Sequence, residues 1–138
     1  MKKPRLVISA GALLSLALAS SVAFALDYDS FTTDVAGDQA DLEVEVNGGY
    51  SASGWAQAVA PSQGHNGETK LNLNATDAFV LMQVSVRCGT QTYYSSCTAS
   101  APQTLKIVCG SDLPPANEWS ASIKISSQEF SARPCVTP

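Results

Sequence analysis

Four cysteines carry the clearest chemistry in this chain: Cys88, Cys97, Cys109 and Cys135. Their spacing lacks the Cys-x₂-Cys pairs of zinc sites, and a leader-like N-terminus predicts export to an oxidising compartment, so we expect two disulfides. Four cysteines allow three pairings. We predict Cys88 with Cys97 and Cys109 with Cys135, because each bridge would then join neighbouring strands whose Cα atoms can approach within about 7 Å.

The residues between the first two cysteines, 89–96, have the composition of a binding loop. Tyrosine supplies rigid amphipathic contact area, and Ser, Thr and Gly supply adaptable hydrogen bonds. A disulfide across the base would lower the ordering entropy lost on binding. We therefore take Gln91, Tyr93 and Tyr94 as candidate ligand-binding residues, together with His65 from a neighbouring loop. A polar hairpin loop with at least one tyrosine folded back on the domain explains the same residues.

No combination of residues points to catalysis. His65 is the single histidine, whereas zinc sites need three or four ligands. The serines lack the Gly-x-Ser-x-Gly turn of a nucleophilic serine. Glu43 and Glu45 lie on one face of a strand, but water surrounds them, so their catalytic value is small. The sequence therefore predicts a protein that is not an enzyme, with no catalytic residue, metal or cofactor. The acidic residues of 27–45 do not form an EF-hand loop, and the sequence leaves calcium binding there open.

The N-terminus has the pattern of an export signal. Lys2, Lys3 and Arg5 precede an apolar run over 6–19, and Ala23-Phe24-Ala25 has the small-x-small form of a peptidase site. We expect residues 1–25 to be a removed signal peptide, typical of bacterial exporters, and the protein to be secreted or periplasmic. No second apolar stretch approaches the roughly 20 residues of a membrane span, so no membrane insertion is expected after removal.

The charge disfavours several classes of partner. The whole chain has a net charge of −4, and without its first 25 residues it keeps five cations against 12 carboxylates, a formal charge of −7. Such a surface repels phosphate backbones and anionic lipids, so neither nucleic acid nor a membrane surface is an expected partner. Because carboxylates are concentrated near the start, we predict an acidic, solvated segment over 26–40 followed by a single domain over 41–138.

Alternating apolar and polar residues predict strands through that domain. The run 78–88 is the most apolar and should be the most deeply buried strand. Residues 41–46 alternate, Asn47-Gly48-Gly49 suits a tight turn, and residues 50–60 should form the returning strand, with Trp55 in the core. About seven or eight short strands without a helical stripe predict an all-β fold, a small antiparallel β-sandwich of immunoglobulin-like size. A small barrel remains open.

Recognition is the function that these features leave. Our leading hypothesis is a secreted, non-enzymatic binding domain, monomeric, that recognises a protein or glycan through the segment of Tyr93 and Tyr94. The alternative is a structural subunit of a cell-envelope or extracellular assembly, in which sheet edges pair with another chain. A binding domain should remain monomeric at high concentration, whereas an assembly subunit should form oligomers.

Overall fold

The computed structural model describes residues 27–46, 49–76, 79–99, 102–126 and 130–135. The predicted signal peptide, residues 1–25, lies outside them. Eight strands and no helix occur in the described part: β1 (Tyr28–Thr33), β2 (Gln39–Val46), β3 (Tyr50–Val59), β4 (His65–Thr76), β5 (Phe79–Cys88), β6 (Gln91–Ala99), β7 (Gln103–Gly110) and β8 (Ala116–Ser126). All paired strands are antiparallel, and they form two four-stranded sheets. The predicted all-β sandwich is confirmed.

The order of the strands explains which of them are buried. Sheet A has the order β1-β8-β5-β6, and sheet B has the order β2-β3-β4-β7. The apolar run predicted to be the most deeply buried strand is β5, which lies inside sheet A between β8 and β6. Every second side chain of β5 points into the core: Val80, Met82, Val84, Val86 and Cys88.

The two sheets contribute unequal bulk to the core between them. Sheet A supplies mostly large side chains: Phe31, Val80, Met82, Val84, Val86, Trp119, Ile123 and Ile125. Sheet B supplies several alanines among its leucines: Ala40, Leu42, Ala52, Ala56, Ala58, Leu71 and Leu73. Since a core is filled at close to crystal density, the small inward side chains of β3 leave room for the large ones opposite.

Trp55 does not lie in the core, so that prediction is wrong. Along β3 the buried residues are Ala52, Ala56 and Ala58, and Trp55 is half-buried on the outer face of sheet B. Side chains alternate between the two faces of a strand, so Trp55 and Ala56 cannot both point inward. The two faces alternate as predicted, but the inward face carries the small side chains.

The predicted disulfide pairing is also wrong. Cys88 on β5 bonds to Cys109 on β7, which joins the two sheets, with Cα atoms 5.8 Å apart. Cys97 on β6 bonds to Cys135, with Cα atoms 4.8 Å apart. In the β5–β6 hairpin Cys97 lies opposite Met82, six positions along β5 from Cys88. At about 3.4 Å per residue this separation is roughly 20 Å, far beyond the reach of a disulfide.

Strand β1 lies inside residues 26–40, which the sequence predicted to be an acidic, solvated segment. It pairs with β8 along its whole length, and Phe31 is buried with 3% of its surface exposed. The Asp29 carboxylate accepts a hydrogen bond from the backbone N–H of Glu43 on β2, 3.0 Å away. The inward Phe31 and this link between the sheets make β1 part of the domain, although β1 lies within the predicted acidic segment.

Candidate functional site

The segment predicted as a closed loop is the edge strand of sheet A. Only Gly89 and Thr90 form the turn between β5 and β6, and β6 begins at Gln91. Gly89 has a φ of +69°, in the left-handed region that favours glycine, and a Cβ there would lie 2.9 Å from Pro114. Because Tyr and Thr fit a pleated sheet surface well, the residues after this tight turn continue as a strand. The segment has no disulfide across its base.

The two predicted tyrosines point in opposite directions. Tyr93 packs against the core, and its hydroxyl donates a hydrogen bond to Oε1 of Gln91 over 3.0 Å. Tyr94 lies on the outer face with 77% of its surface exposed, more than any other large hydrophobic residue described. Of the pair, Tyr94 therefore has the exposed ring, while the side chains of Gln91 and Tyr93 bond to each other.

His65 lies apart from these residues. It begins β4 in sheet B, whereas Tyr94 lies on the outer face of sheet A, so the core separates them. The imidazole makes local contacts: Nδ1 accepts a hydrogen bond from the backbone N–H of Gly67 over 3.3 Å, and Nε2 lies 3.4 Å from Oγ of Ser62. The structure thus does not bring His65 into one site with the tyrosine.

The C-terminal segment, residues 130–135, covers one end of the β6 edge. The backbone N–H of Thr98 donates to the carbonyl of Arg133 over 2.9 Å, and the N–H of Cys135 donates to the carbonyl of Thr98 over 3.0 Å. Nε of Arg133 donates to the carbonyl of Ser96 over 3.3 Å. The disulfide between Cys97 and Cys135 holds the segment in place.

The bonds of Thr98 identify the backbone groups of β6 that point away from β5. Backbone direction alternates along a strand, so Thr92, Tyr94 and Ser96 point the same way as Thr98. Within the described ranges, no backbone hydrogen bond reaches this outward side of Thr92 or Tyr94. An open stretch of edge therefore lies beside the most exposed ring of the domain.

The other three edge strands carry charges that oppose pairing with another chain. Strand β1 contains Asp29, β2 contains Asp41, Glu43 and Glu45, and β7 contains Lys106. Folded proteins commonly guard sheet edges with charges, prolines or bulges. Strand β6 has no charged residue and no proline, and its register with β5 is continuous. Among the described edges, the unguarded stretch is therefore the part of β6 at Thr92 and Tyr94, which the C-terminal segment leaves open.

The outer face beside Tyr94 is a surface of small hydroxyl side chains. One row of directly opposed residues crosses the sheet from β6 to β1. In order, the row contains Tyr94 on β6, Ser85 on β5, Ser120 on β8 and Thr32 on β1. Oγ1 of Thr32 donates to Oγ of Ser120 over 3.3 Å. Sequence reasoning missed these neighbours of Tyr94, because alternation shows that a serine faces outward but does not show which strands are adjacent.

The remaining charged groups form no metal-binding cluster in the part of the chain that the structure describes. No group of three or more His, Cys, Asp or Glu side chains there is arranged to hold a metal ion. Glu68 is buried on β4, with its carboxylate 3.5 Å from Nζ of Lys106 and 3.9 Å from Nζ of Lys70. Nor do the described residues include a helix long and apolar enough to cross a membrane.

Comparison with known proteins adds little to this description. No protein-family model matches the chain, and no curated protein matches it. Among solved structures, it is similar to the trimeric lipoprotein SadB of Salmonella enterica, with a TM-score of 0.37 and 11% sequence identity. The alignment covers 74% of this chain and 62% of that chain. A likeness of this size carries no argument about fold or function.

Proposed function

We propose that this chain is an exported, non-enzymatic binding domain that recognises a partner protein through β6, with Tyr94 at the centre of the contact. The observation that carries the proposal is the open, uncharged edge: the outward backbone groups of Thr92 and Tyr94 have no hydrogen-bond partner among the described residues. An extended segment added to such an edge gains main-chain hydrogen bonds, and neighbouring side chains provide specificity.

A protein fits this edge better than a glycan does. The outward N–H and carbonyl groups recur at every second residue of β6, which matches the spacing of the same groups in an extended polypeptide. A glycan has no matching ladder and would contact only the Tyr94 ring and the neighbouring hydroxyl groups. The backbone pattern therefore favours a protein partner.

The expected compartment agrees with this role. Two disulfides and no free cysteine among the described residues indicate an oxidising compartment. The signal-like pattern of residues 1–25 supports the finer proposal, that the domain works in the periplasm or outside the cell.

A structural subunit of an envelope or extracellular assembly is the second candidate, since the same open edge would accept a strand from another subunit. An open assembly needs two complementary surfaces on each subunit, because a head-to-tail contact repeats without closing. The two candidates therefore differ in whether oligomers grow without limit as the concentration rises.

Capture of partners by the immobilised protein tests the binding function. The bait is the protein without residues 1–25, exposed to the surroundings of the producing cell. Tyr94→Ala should reduce recovery of the partner protein at least about tenfold, because truncating a central aromatic anchor costs on the order of 2 kcal/mol. Tyr28→Ala is the matched control, since Tyr28 is 51% exposed on β1 at the opposite edge of the same sheet.

Hydrogen exchange provides a readout of the binding mode. The amides of Thr92 and Tyr94 should gain protection when the partner is bound, and the amide of Thr32 on the opposite edge should not. Recovery of the same partners in the same amounts by the wild type and Tyr94→Ala would exclude β6 as the site. Recovery of a glycan in place of a protein would exclude strand addition.

A further inference from the structure

The C-terminal segment pairs with β6 in the way that the proposed partner would. It runs parallel to the strand, with a bridge between Pro134 and Thr98. Both backbone groups of Thr98 are bonded to it, and its arginine side chain donates to the carbonyl of Ser96. The segment therefore occupies one half of the outward edge. The other half, at Thr92 and Tyr94, is bonded to no described residue on its outward side.

Apart from the disulfide, few contacts hold this segment on the edge. Among the described residues, three hydrogen bonds join it to β6. Ser131, Arg133 and Pro134 are exposed, so apolar burial is confined to the other half of the segment. A hydrogen bond near water contributes little net free energy, whereas ordering six residues costs several times more than three such bonds contribute. The covalent bond between Cys97 and Cys135 is therefore what keeps the segment in place.

The covered end of the strand also carries an unpaired polar group. Oγ1 of Thr98 is buried and has no hydrogen-bond partner among the described residues. A buried hydroxyl without a partner destabilises the state that buries it, because water would otherwise bond to it. Since the segment is bonded to both backbone groups of Thr98, its departure would open this position to water.

The two disulfides differ in their access to solvent. Cys88 and Cys109 are buried between the sheets, with 2% and 0% of their surfaces exposed. Cys97 is buried as well, but Cys135 is half-buried at the end of the segment. Thiol–disulfide exchange requires a thiolate to reach one of the two sulfur atoms. A reductant should therefore attack the bridge of Cys97 and Cys135 first.

We propose that the disulfide of Cys97 and Cys135 is a redox switch that sets how much of the β6 edge a partner can use. This inference rests on the proposed function, because it names the regulation of the same strand. In the oxidised protein the open edge is limited to two outward residues. After reduction the C-terminal segment leaves, and Ser96 and Thr98 extend the open edge to four. A longer extended segment can then pair with β6.

The reductant is a dithiol. One of its thiolates attacks Sγ of Cys135, the bond between the two cysteines breaks, and Cys97 leaves as a thiolate. The second thiol of the reductant then displaces Cys135 and closes the reductant's own disulfide. Two electrons pass from the dithiol to the protein, and its two protons end on the thiols of Cys97 and Cys135. Exchange with a disulfide oxidant reverses the step and covers the edge again.

Reduction of the folded protein without residues 1–25 tests the release of the segment. Dithiothreitol followed by iodoacetamide should label the cysteines of this disulfide and leave Cys88 and Cys109 unlabelled, as read by mass spectrometry. Hydrogen exchange of the reduced protein should show that the amide of Thr98 loses protection at least about tenfold. The amide of Ser95 is the matched control: it points toward β5, so its protection should not change.

The double variant Cys97→Ala/Cys135→Ala tests the effect on the partner without a reductant. It should keep the circular dichroism of the wild type, because the other disulfide still joins the two sheets. Its affinity for the partner recovered in the capture experiment should be at least about tenfold higher, since the ladder gains two residues. Arg133→Ala is the matched control: it removes one bond of the segment but keeps the disulfide, and it should change the affinity less than about twofold. The reduced wild type gives the same comparison if the double variant does not fold.

Retention of protection at Thr98 after reduction would overturn the inference, and so would equal affinity of the double variant and the wild type for the partner. Recovery that still depends on Tyr94 in both proteins would then refute the switch alone and support binding through β6. Recovery that is independent of Tyr94 in both proteins would refute the switch together with the binding function.

Discussion

Trp119 and Trp55 occupy comparable positions in the two sheets yet face opposite ways. Each lies on an interior strand, Trp119 on β8 of sheet A and Trp55 on β3 of sheet B. Trp119 is buried in the core with 2% of its surface exposed, and Trp55 is half-buried on the outer face. The difference teaches that the residues alternating with an aromatic, and not the aromatic itself, indicate which face of a strand is inward.

The residues beside each tryptophan explain why the two side chains face opposite ways. Trp119 alternates with Ser120 and lies opposite Val86, so its polar neighbours along the strand take the outer face. Trp55 alternates with Ala56, which is fully buried, and lies opposite Asp41 and Asn72, which are polar. With large side chains already supplied by sheet A, sheet B accommodates alanine at its inward positions.

The largest effect that tests this comparison is expected from Trp119→Ala. Removing a buried tryptophan leaves a cavity and should lower the free energy of unfolding by about 3 to 5 kcal/mol, measured by denaturant titration. Trp119→Phe should cost much less, since it fills most of the space and also removes an indole N–H that has no hydrogen-bond partner among the described residues. A smaller loss for Trp119→Ala than for Trp55→Ala would contradict the assignment.

An intermediate effect is expected from Ala56→Leu. The added atoms must enter a core already filled from sheet A, and overpacking of this kind costs about 1 to 3 kcal/mol. Ser53→Leu is the matched control, because Ser53 lies on the exposed face of the same strand, and it should change stability by less than about 0.5 kcal/mol. Equal costs for both variants in the same titration would show that β3 faces the other way.

The smallest effect is expected from Trp55→Phe, which should cost less than about 1 kcal/mol because the side chain lies outside the core. The chain contains two tryptophans, so Trp55→Phe and Trp119→Phe each leave a single fluorophore. Acrylamide should quench the protein that keeps Trp55 strongly and the protein that keeps Trp119 weakly. Equal quenching of the two proteins would remove the distinction between the positions.

The sequence by itself determined the features that depend on local pattern. Alternation over β2, β5 and β8 predicted strands, and the apolar content of β5 predicted its burial, because a strand exposes every second side chain to the same environment. Four cysteines predicted two disulfides, since an oxidising compartment leaves few thiols free. Tyr94 was also recognised as a candidate from the composition of its segment alone.

Only the tertiary structure decided which groups meet. Cys88 pairs with Cys109 because the two sheets pack against each other there, and no local pattern reports that packing. The inward face of β3 depends on the bulk that sheet A provides, and the open edge at Tyr94 depends on β6 having a neighbouring strand on one side only. These features arise from strand order and register, which join residues far apart in the chain, whereas alternation is set within each strand.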